Sequence, residues 1–273
     1  MKQNKVYLGL IGGLGDVIYQ YLHDPAWQSL ADYKTKNPNT CIKAIVVSHN
    51  PLAHQIVELN PYIDEVEQHP PKREMRDKNW KHHEVIHQYA QGESRLIGSN
   101  LTHNRPVFYL KNSEVELVNQ LVVGKTAVVH PFASEEARVC IPPKDYRSIV
   151  DKLRHKMFNV IMLGGSYVKS FGEEEKYNKV EKFLYPKTDG FTNLIGKTNA
   201  RTSLALVTNA DLFVGTWSCY GVTAWMHGIK SIICVPDKMS EGCYKIHDGK
   251  YKNHNKADKI IKESNSKMIV RLI

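Results

Sequence analysis

The 273-residue chain has few of the features that mark membrane or secreted proteins. It contains no run of eighteen apolar residues, so an ordinary transmembrane helix is not expected. The opening MKQNKVYLGL shows no apolar signal segment followed by a small-residue cleavage site. Cysteine is scarce: Cys41, Cys140, Cys219, Cys234 and Cys243 are scattered, odd in number, and form neither a CxxC pair nor a zinc-type spacing. That pattern argues against a disulfide framework and predicts reduced thiols in a cytoplasmic protein. Low-complexity linkers and internal repeats are also missing.

Two nucleotide motifs are incomplete. Gly13-Leu14-Gly15 is followed by Asp16-Val17-Ile18, so the third glycine of a dinucleotide fingerprint is absent. The second apolar run ends in Ser48-His49-Asn50 and supplies no acid for a ribose, which excludes NAD. The triplets Gly124-Lys125-Thr126 and Gly196-Lys197-Thr198 lack the upstream glycine of a P-loop, because Asn119 and Phe191 stand at the required positions. Both triplets read as turns.

What the sequence does have is a 42% hydrophobic content, enough for one large or two small cores, and a net charge of +9. The charge favours an anionic partner such as nucleic acid, a phosphorylated glycan, a nucleotide or a membrane surface, although a solvated Lys-rich surface has the same composition. Short β-rich runs alternate with amphipathic stretches, which predicts an α/β fold with parallel sheets. In the first part, strands are expected over 5–11, 42–48 and 106–110. Helices are expected from Asp16 into Ala31, after Pro51, and over 112–122. A second series then follows, with strands at KTAVVHP, FNVIMLGG, DLFVGT and SIICVP. Helices are expected over 143–156 and 173–184, at RTSLALVTNA capped by Thr202 or Ser203, at WSCYGVTAWMHG, and over the Lys-rich 245–263. A break near Val123-Gly124 divides the chain into 1–123 and 124–273.

Several positions carry candidate chemistry. Asp16 follows the first strand as a helix N-cap, a setting that satisfies orphan amides and keeps a carboxylate ionised and able to accept a proton. HPFASEEARVCIPPKDY leaves a buried strand at the carboxyl edge of the second sheet, where open α/β sheets bind ligands. Ser134 and Arg138 are candidate phosphate contacts there. Lys144 reads as an exposed loop residue and His130 as a packed strand-end histidine. Thr216, Trp217 and Ser218 stand between a buried strand and a helix, where amides suit a diphosphate and ordinary capping is an equal reading. PPKREMRDKNWKHH interleaves Lys72, Arg73 and Arg76 with Trp80, a pattern used by strand-stacking nucleic-acid surfaces and, more commonly, by solvated helix faces.

In order, these segments resemble the heptosyltransferase-type glycosyltransferases of family 9. GGLGDVIYQ is similar to that family's G-D turn, NPYIDEVEQ to its N-P-x-I-D-x-V segment, and VVHPFASEEARVCIPPKDYRSIVDKL to its strand, nucleotide loop and helix. NLIGKTNARTSLALVTNADLFVGTWSCYGVTAWMHGIKSIICVP resembles its signature stretch. The resemblance implies a GT-B architecture, two Rossmann-like α/β domains facing each other across a cleft. The first would be acceptor-side and the second would bind a nucleotide-sugar donor. It implies inverting, metal-independent transfer to a hydroxyl, with a nucleotide sugar as co-substrate and no cofactor. Asp16 matches the general base. The donor set would be Gly15, Ser134, Arg138, Gly164, Lys197, Thr216, Trp217 and Ser218, and the acceptor set Lys72, Arg73, Arg76 and Trp80.

The chain departs from the family pattern at Trp217, where the family has Asp, at Cys219, where it has Gly, and at Val222, where it has His. It is also shorter than typical members, mostly in the first lobe. These departures imply an altered donor pocket. Two acceptors compete: a lipopolysaccharide-type anionic glycan, and DNA carrying hydroxymethylated pyrimidines as in phage-type glycosyltransferases. A nucleotide- or glycan-binding module that has lost its chemistry is the third reading.

Overall fold

A computed structural model of the protein describes residues 5–70, 108–131, 143–164, 188–216, 218–234 and 259–261. The chain forms two compact units, 1–111 and 112–273.

In the first unit, the apolar runs KVYLGLI and CIKAIVV form parallel strands β1 (Lys5–Ile11) and β2 (Cys41–Val47), paired from Lys5 opposite Cys41 to Ile11 opposite Val47. Strand β3 (Glu65–His69) adds to β2, giving the order β1-β2-β3. Helix α1 (Leu14–His23) places Val17, Ile18, Tyr21 and Leu22 in the core, the i, i+3/i+4 spacing of one helix face. The expected long helix from Asp16 to Ala31 is instead three pieces, α1, α2 (Pro25–Gln28) and α3 (Leu30–Lys36). The cause is Asp24. Standing before Pro25, it is extended (φ −65°, ψ 125°), and its carboxylate accepts the Ala26 amide at 2.8 Å, so it ends one helix and caps the next.

The NPYIDEVEQ segment has a structural role. Asn60 Nδ2 donates to the buried Tyr21 hydroxyl, and Asn60 Oδ1 accepts the Tyr62 amide. Asp64 Oδ2 accepts the Ile42 amide at 2.7 Å and the Lys34 ammonium at 2.6 Å, which sets β3 in register with β2. Burial opposes the charge on Asp64, but these two donors outweigh it and hold the carboxyl below its ordinary range.

The second unit begins with helix α4 (Asn112–Leu121). Strands β4 (Thr126–His130), β5 (Asn159–Met162), β6 (Phe191–Asn193), β7 (Leu212–Thr216), β8 (Ser231–Cys234) and β9 (Lys259–Ile261) follow. All are parallel, in the order β6-β5-β4-β7-β8-β9. Helices α5 (Pro143–His155), α6 (Ala200–Thr208) and α7 (Cys219–Met226) complete it. A core of Val129, Tyr146, Ile149, Leu153, Met162 and Val214 joins the sheet to α5.

The units divide at 111/112, ahead of α4, rather than at the expected 123/124. Glu114 of α4 accounts for the difference. Its carboxylate receives Arg201 Nη2 at 2.9 Å and Arg201 Nε at 3.2 Å, and both side chains are buried. Asn199, not Thr202 or Ser203, caps α6: its Oδ1 accepts the Thr202 amide while its Nδ2 donates to Glu114 at 2.5 Å.

Three further expectations are corrected or fall elsewhere. Residues 108–110 are not in a strand. Within the Lys-rich stretch expected to be helical, residues 259–261 form β9 beside β8, because a sheet edge was there to be extended. The expected helix over 173–184 lies outside the described residues. Strand β6 had no expectation; at three residues it is too short to show a period.

Candidate functional site

The strand order of the second unit locates its candidate site. From β4 the chain moves outward to β5 and β6, then returns to lay β7 on the other side of β4. The carboxyl ends of β4 and β7 therefore bracket a topological switch point, where open α/β sheets bind ligands. His130 ends β4 and Thr216 ends β7. The two strands approach closely there: a methyl group on Gly215 would come within 2.5 Å of the His130 carbonyl oxygen. A methyl group on Gly221, in the first turns of α7, would come within 2.8 Å of the Thr216 carbonyl. Glycine at these two positions draws α7 and β7 against β4.

His130 is buried, and its Nδ1 lies 2.9 Å from the Leu163 carbonyl, which fixes Nδ1–H as the donor. Burial drives its pKa down to about 4, opposed by that hydrogen bond, so the ring is neutral near pH 7. Its ring meets Tyr220 edge-on, with centroids 4.6 Å apart at 88°. The strand-end packing expected for His130 is what the structure shows.

Helix α7 starts with unspent hydrogen-bonding capacity. Ser218 is its N-cap residue, yet its hydroxyl caps no amide; the Oγ atom is enclosed and has no partner among the described residues. The first backbone bond of the helix is Val222 N–H to Ser218 O. Burial pushes the Cys219 thiol up to about 12, against the pull of the Tyr220 and Cys219 amides, so the thiol stays protonated despite its helix N-terminus.

Other predicted donor residues are distributed along this sheet edge. Gly164 follows β5, next to β4, and its carbonyl accepts the Gly196 amide at 2.8 Å. Lys197 follows β6, three strand spacings or ~14 Å across the sheet from β7. Its ammonium donates to the Asn193 carbonyl at 3.0 Å, within its own turn. The turn reading of both Gly-Lys-Thr triplets agrees with positive φ at Gly124 (61°) and Gly196 (67°). Ser134, Arg138 and Trp217 lie outside the described residues, as do the acceptor candidates Lys72, Arg73, Arg76 and Trp80. The side chain of Lys144 is likewise undescribed, although its backbone lies in α5 and not in a loop.

In the first unit, Asp16 occupies the third position of α1 and Gly13 is the N-cap. The helix starts earlier than expected, so Asp16 reaches back to its cap residue: Oδ2 accepts the Gly13 amide at 2.9 Å, the acidic half of a capping box. The side chain is exposed, and Oδ1 has no hydrogen bond among the described residues. Gly12 (φ 122°) makes room for it, since a methyl there would fall 2.7 Å from Asp16 Cβ and Oδ2. The turn is pinned to the sheet by Ser48 Oγ donating to Gly12 O at 2.6 Å and by Gln20. The Gln20 amide both donates to and accepts from Ile11, at 2.6 and 2.8 Å. Gly15 lies in the same first turn.

No protein-family model matches the sequence, and no curated protein is similar to it in sequence. Solved structures do match. The glycosyl transferase family 9 protein from Veillonella parvula DSM 2008 superimposes with a TM-score of 0.59 at 13% identity, over 99% of this chain and 97% of that one. The fold is shared with a family 9 glycosyltransferase. The E. coli ADP-heptose lps heptosyltransferase II matches with a TM-score of 0.52 at 12% identity, over 85% of this chain and 86% of the other. The expected α/β class with parallel sheets is thereby shown. Sequence reasoning did not single out Tyr220 in this glycosyltransferase fold; its one signal was an aromatic in the first turn of the helix after the signature strand. Among the described residues no group of three His, Cys, Asp or Glu side chains forms a metal site, and no helix is long and apolar enough to cross a membrane.

Proposed function

We propose that the chain is a glycosyltransferase that moves a sugar from a nucleoside-diphosphate sugar to a hydroxyl group. The observation that supports this most directly is the start of α7 at the β4/β7 switch point. There an enclosed Ser218 hydroxyl has no partner among the described residues, beside first-turn amides that make no intrahelical bond, in a fold shared with a family 9 glycosyltransferase. A leaving diphosphate gains negative charge as the glycosidic bond breaks, and fixed donors aimed at it lower that barrier. Ser218 and the α7 amides supply them, with Arg138 as an added cation. Lys197, held in its own turn, contributes only its field.

Asp16 is the base in this reading. Its Oδ2 is held by Gly13, which leaves Oδ1 to take the proton of the acceptor hydroxyl as that oxygen attacks the anomeric carbon. One displacement with one base gives inversion. The step needs no cofactor, and this reading assigns no role to a metal. In this reading the first unit, which carries Asp16, takes the acceptor and the second takes the donor. The +9 charge favours an anionic acceptor, and this reading takes it to be of the glycan type. A DNA acceptor would instead show retention on DNA that falls steeply with salt.

The test is a thermal-shift screen against ADP, UDP and GDP and their sugars, followed by transfer assays. A nucleotide that binds only the native state raises the melting temperature. Asp16→Asn keeps an acceptor oxygen for Gly13 and should bind that nucleotide as the wild type does, while transfer falls by roughly 10²–10⁴-fold. Wild-type transfer by Asp16→Asn would remove the base from the mechanism. A wild type that neither transfers nor hydrolyses any donor would leave a binding module.

A further inference from the structure

Beneath the switch point lies a set of buried polar contacts that capping and core packing do not require. The Tyr220 phenol is paired with Ser203 of α6, whose hydroxyl opposes the rise that burial gives its pKa. The Ser203 hydroxyl lies 2.7 Å from that of Thr198, in the turn after β6. On its other side Tyr220 meets the His130 ring edge-on, and His130 is tied to the Leu163 carbonyl at the end of β5. The same turn returns to β5 through Gly196 N–H and the Gly164 carbonyl. The contacts form a closed circuit through β4, β5, the β6–α6 turn, α6 and the first turn of α7. His130, Ser203 and Tyr220 are all buried.

Phe at 220 and Ala at 203 would fill much of the same space without burying hydroxyls, and replacing both partners of a buried hydrogen bond by apolar groups can be nearly neutral for stability. The circuit connects β4 to the helix that follows β7, the two sides of the switch point. His130 is the last residue of β4, and Tyr220 stands two residues after the N-cap of α7. Fixing one against the other fixes the distance between the exit of β4 and the amides and hydroxyl at the start of α7. Misplacement of a binding group by about 1 Å is enough to cost binding and rate together.

We infer that His130 and Tyr220, with Ser203 and Thr198 behind them, form a positioning clamp that holds the start of α7 at the spacing from β4 that a nucleoside diphosphate needs. The clamp rests on the proposed function, because it names what the spacing is for. None of the four side chains reacts. They act through the Ser218 hydroxyl and the α7 amides.

Tyr220→Phe and Ser203→Ala each remove one hydroxyl of the Tyr220–Ser203 pair, and Ser203→Ala also removes the contact with Thr198. Each should weaken ADP or UDP binding, measured by calorimetry on the full chain, by about tenfold, the scale of one lost hydrogen bond. The double variant should be no weaker than Ser203→Ala alone. His130→Asn keeps an N–H for Leu163 and should bind better than His130→Ala. Hydrogen exchange gives a readout that needs no ligand: amides 219–221 should exchange about tenfold faster in Tyr220→Phe and Ser203→Ala, with the strands unchanged. Unaltered exchange at 219–221 overturns the clamp whatever the nucleotide result. Faster exchange together with wild-type affinity also overturns it, since the spacing would then not matter to the ligand. A wild type that binds none of ADP, UDP and GDP overturns the proposed function, while exchange still decides whether the start of α7 is clamped.

Discussion

Glu114→Ala should destabilise the second unit more than any change elsewhere in α4. The carboxylate accepts the Arg201 guanidinium at 2.9 and 3.2 Å and Asn199 Nδ2 at 2.5 Å, and Arg201 is only 4% exposed. Truncation takes the Glu114 carboxylate away from the buried guanidinium and from the Asn199 amide. Breaking a buried ion pair from one side costs ~3–5 kcal/mol. For a unit of this size, at ~2–4 °C per kcal/mol, the expected drop in melting temperature is roughly 6–20 °C. Differential scanning calorimetry of the full chain should show that drop in the transition that carries the second unit and leave the first unit's transition in place. Glu114→Leu combined with Arg201→Met removes both charges at similar volume and should recover most of the loss. A shift below ~2 °C for Glu114→Ala, less than a single kcal/mol for this unit, would refute the reasoning. So would a double variant as unstable as the sum of its parts. The same experiment tests whether α4 belongs to the second unit, because a helix of the first unit would move the other transition.

Other predictions follow from single contacts. The pKa of His130 is depressed in the folded state, so its contribution is fully present above the unfolded value near 6.5 and is lost as pH falls toward about 4. Across that window the second unit should lose up to ~3 kcal/mol from this residue, and His130→Asn should show a shallower decline in urea unfolding. Met157 closes α5 in a left-handed conformation (φ 62°) and is 83% exposed, so Met157→Gly should stabilise by roughly 1 kcal/mol, read as a higher melting temperature. Asp16→Ala removes the capping contact that Asp16→Asn keeps. It should cost ~1 kcal/mol in the first unit, while both variants lose transfer alike.

The sheets were legible because their strands are short apolar runs between turn residues, and β1, β2, β4, β5, β7 and β8 lie where those runs lie. Element ends were less so. The Asp24-Pro25 pair that splits the first helical stretch has a local signature, extended backbone before proline, but the amphipathic pattern runs straight through it. Asn199 as the α6 cap has a helix-start composition no better than that of Thr202 or Ser203. What decides is its second hydrogen bond, to Glu114, eighty-five positions away in sequence. Strand β9 was misread because a Lys-rich stretch favours helix locally, whereas pairing with β8 is decided by the sheet. At the site, Asp16, Thr216 and Ser218 could be picked out because each stands at or just past the end of a strand. The partnership of His130 with Tyr220 could not, since neither position has a feature that points to the other until β4 and β7 are side by side.

Gly12 and Asp16 share one space, with a backbone at φ 122° that leaves no room for a side chain beside the carboxylate. The two positions are therefore not independent in descent. A lineage that puts any larger residue at 12 must first shrink or evict the acid at 16, and a lineage that has given up the acid is released from keeping glycine. Among distant cousins, the pair should persist or vanish jointly, which would let a reader of sequences sort those that retain the acid from those that keep only the scaffold.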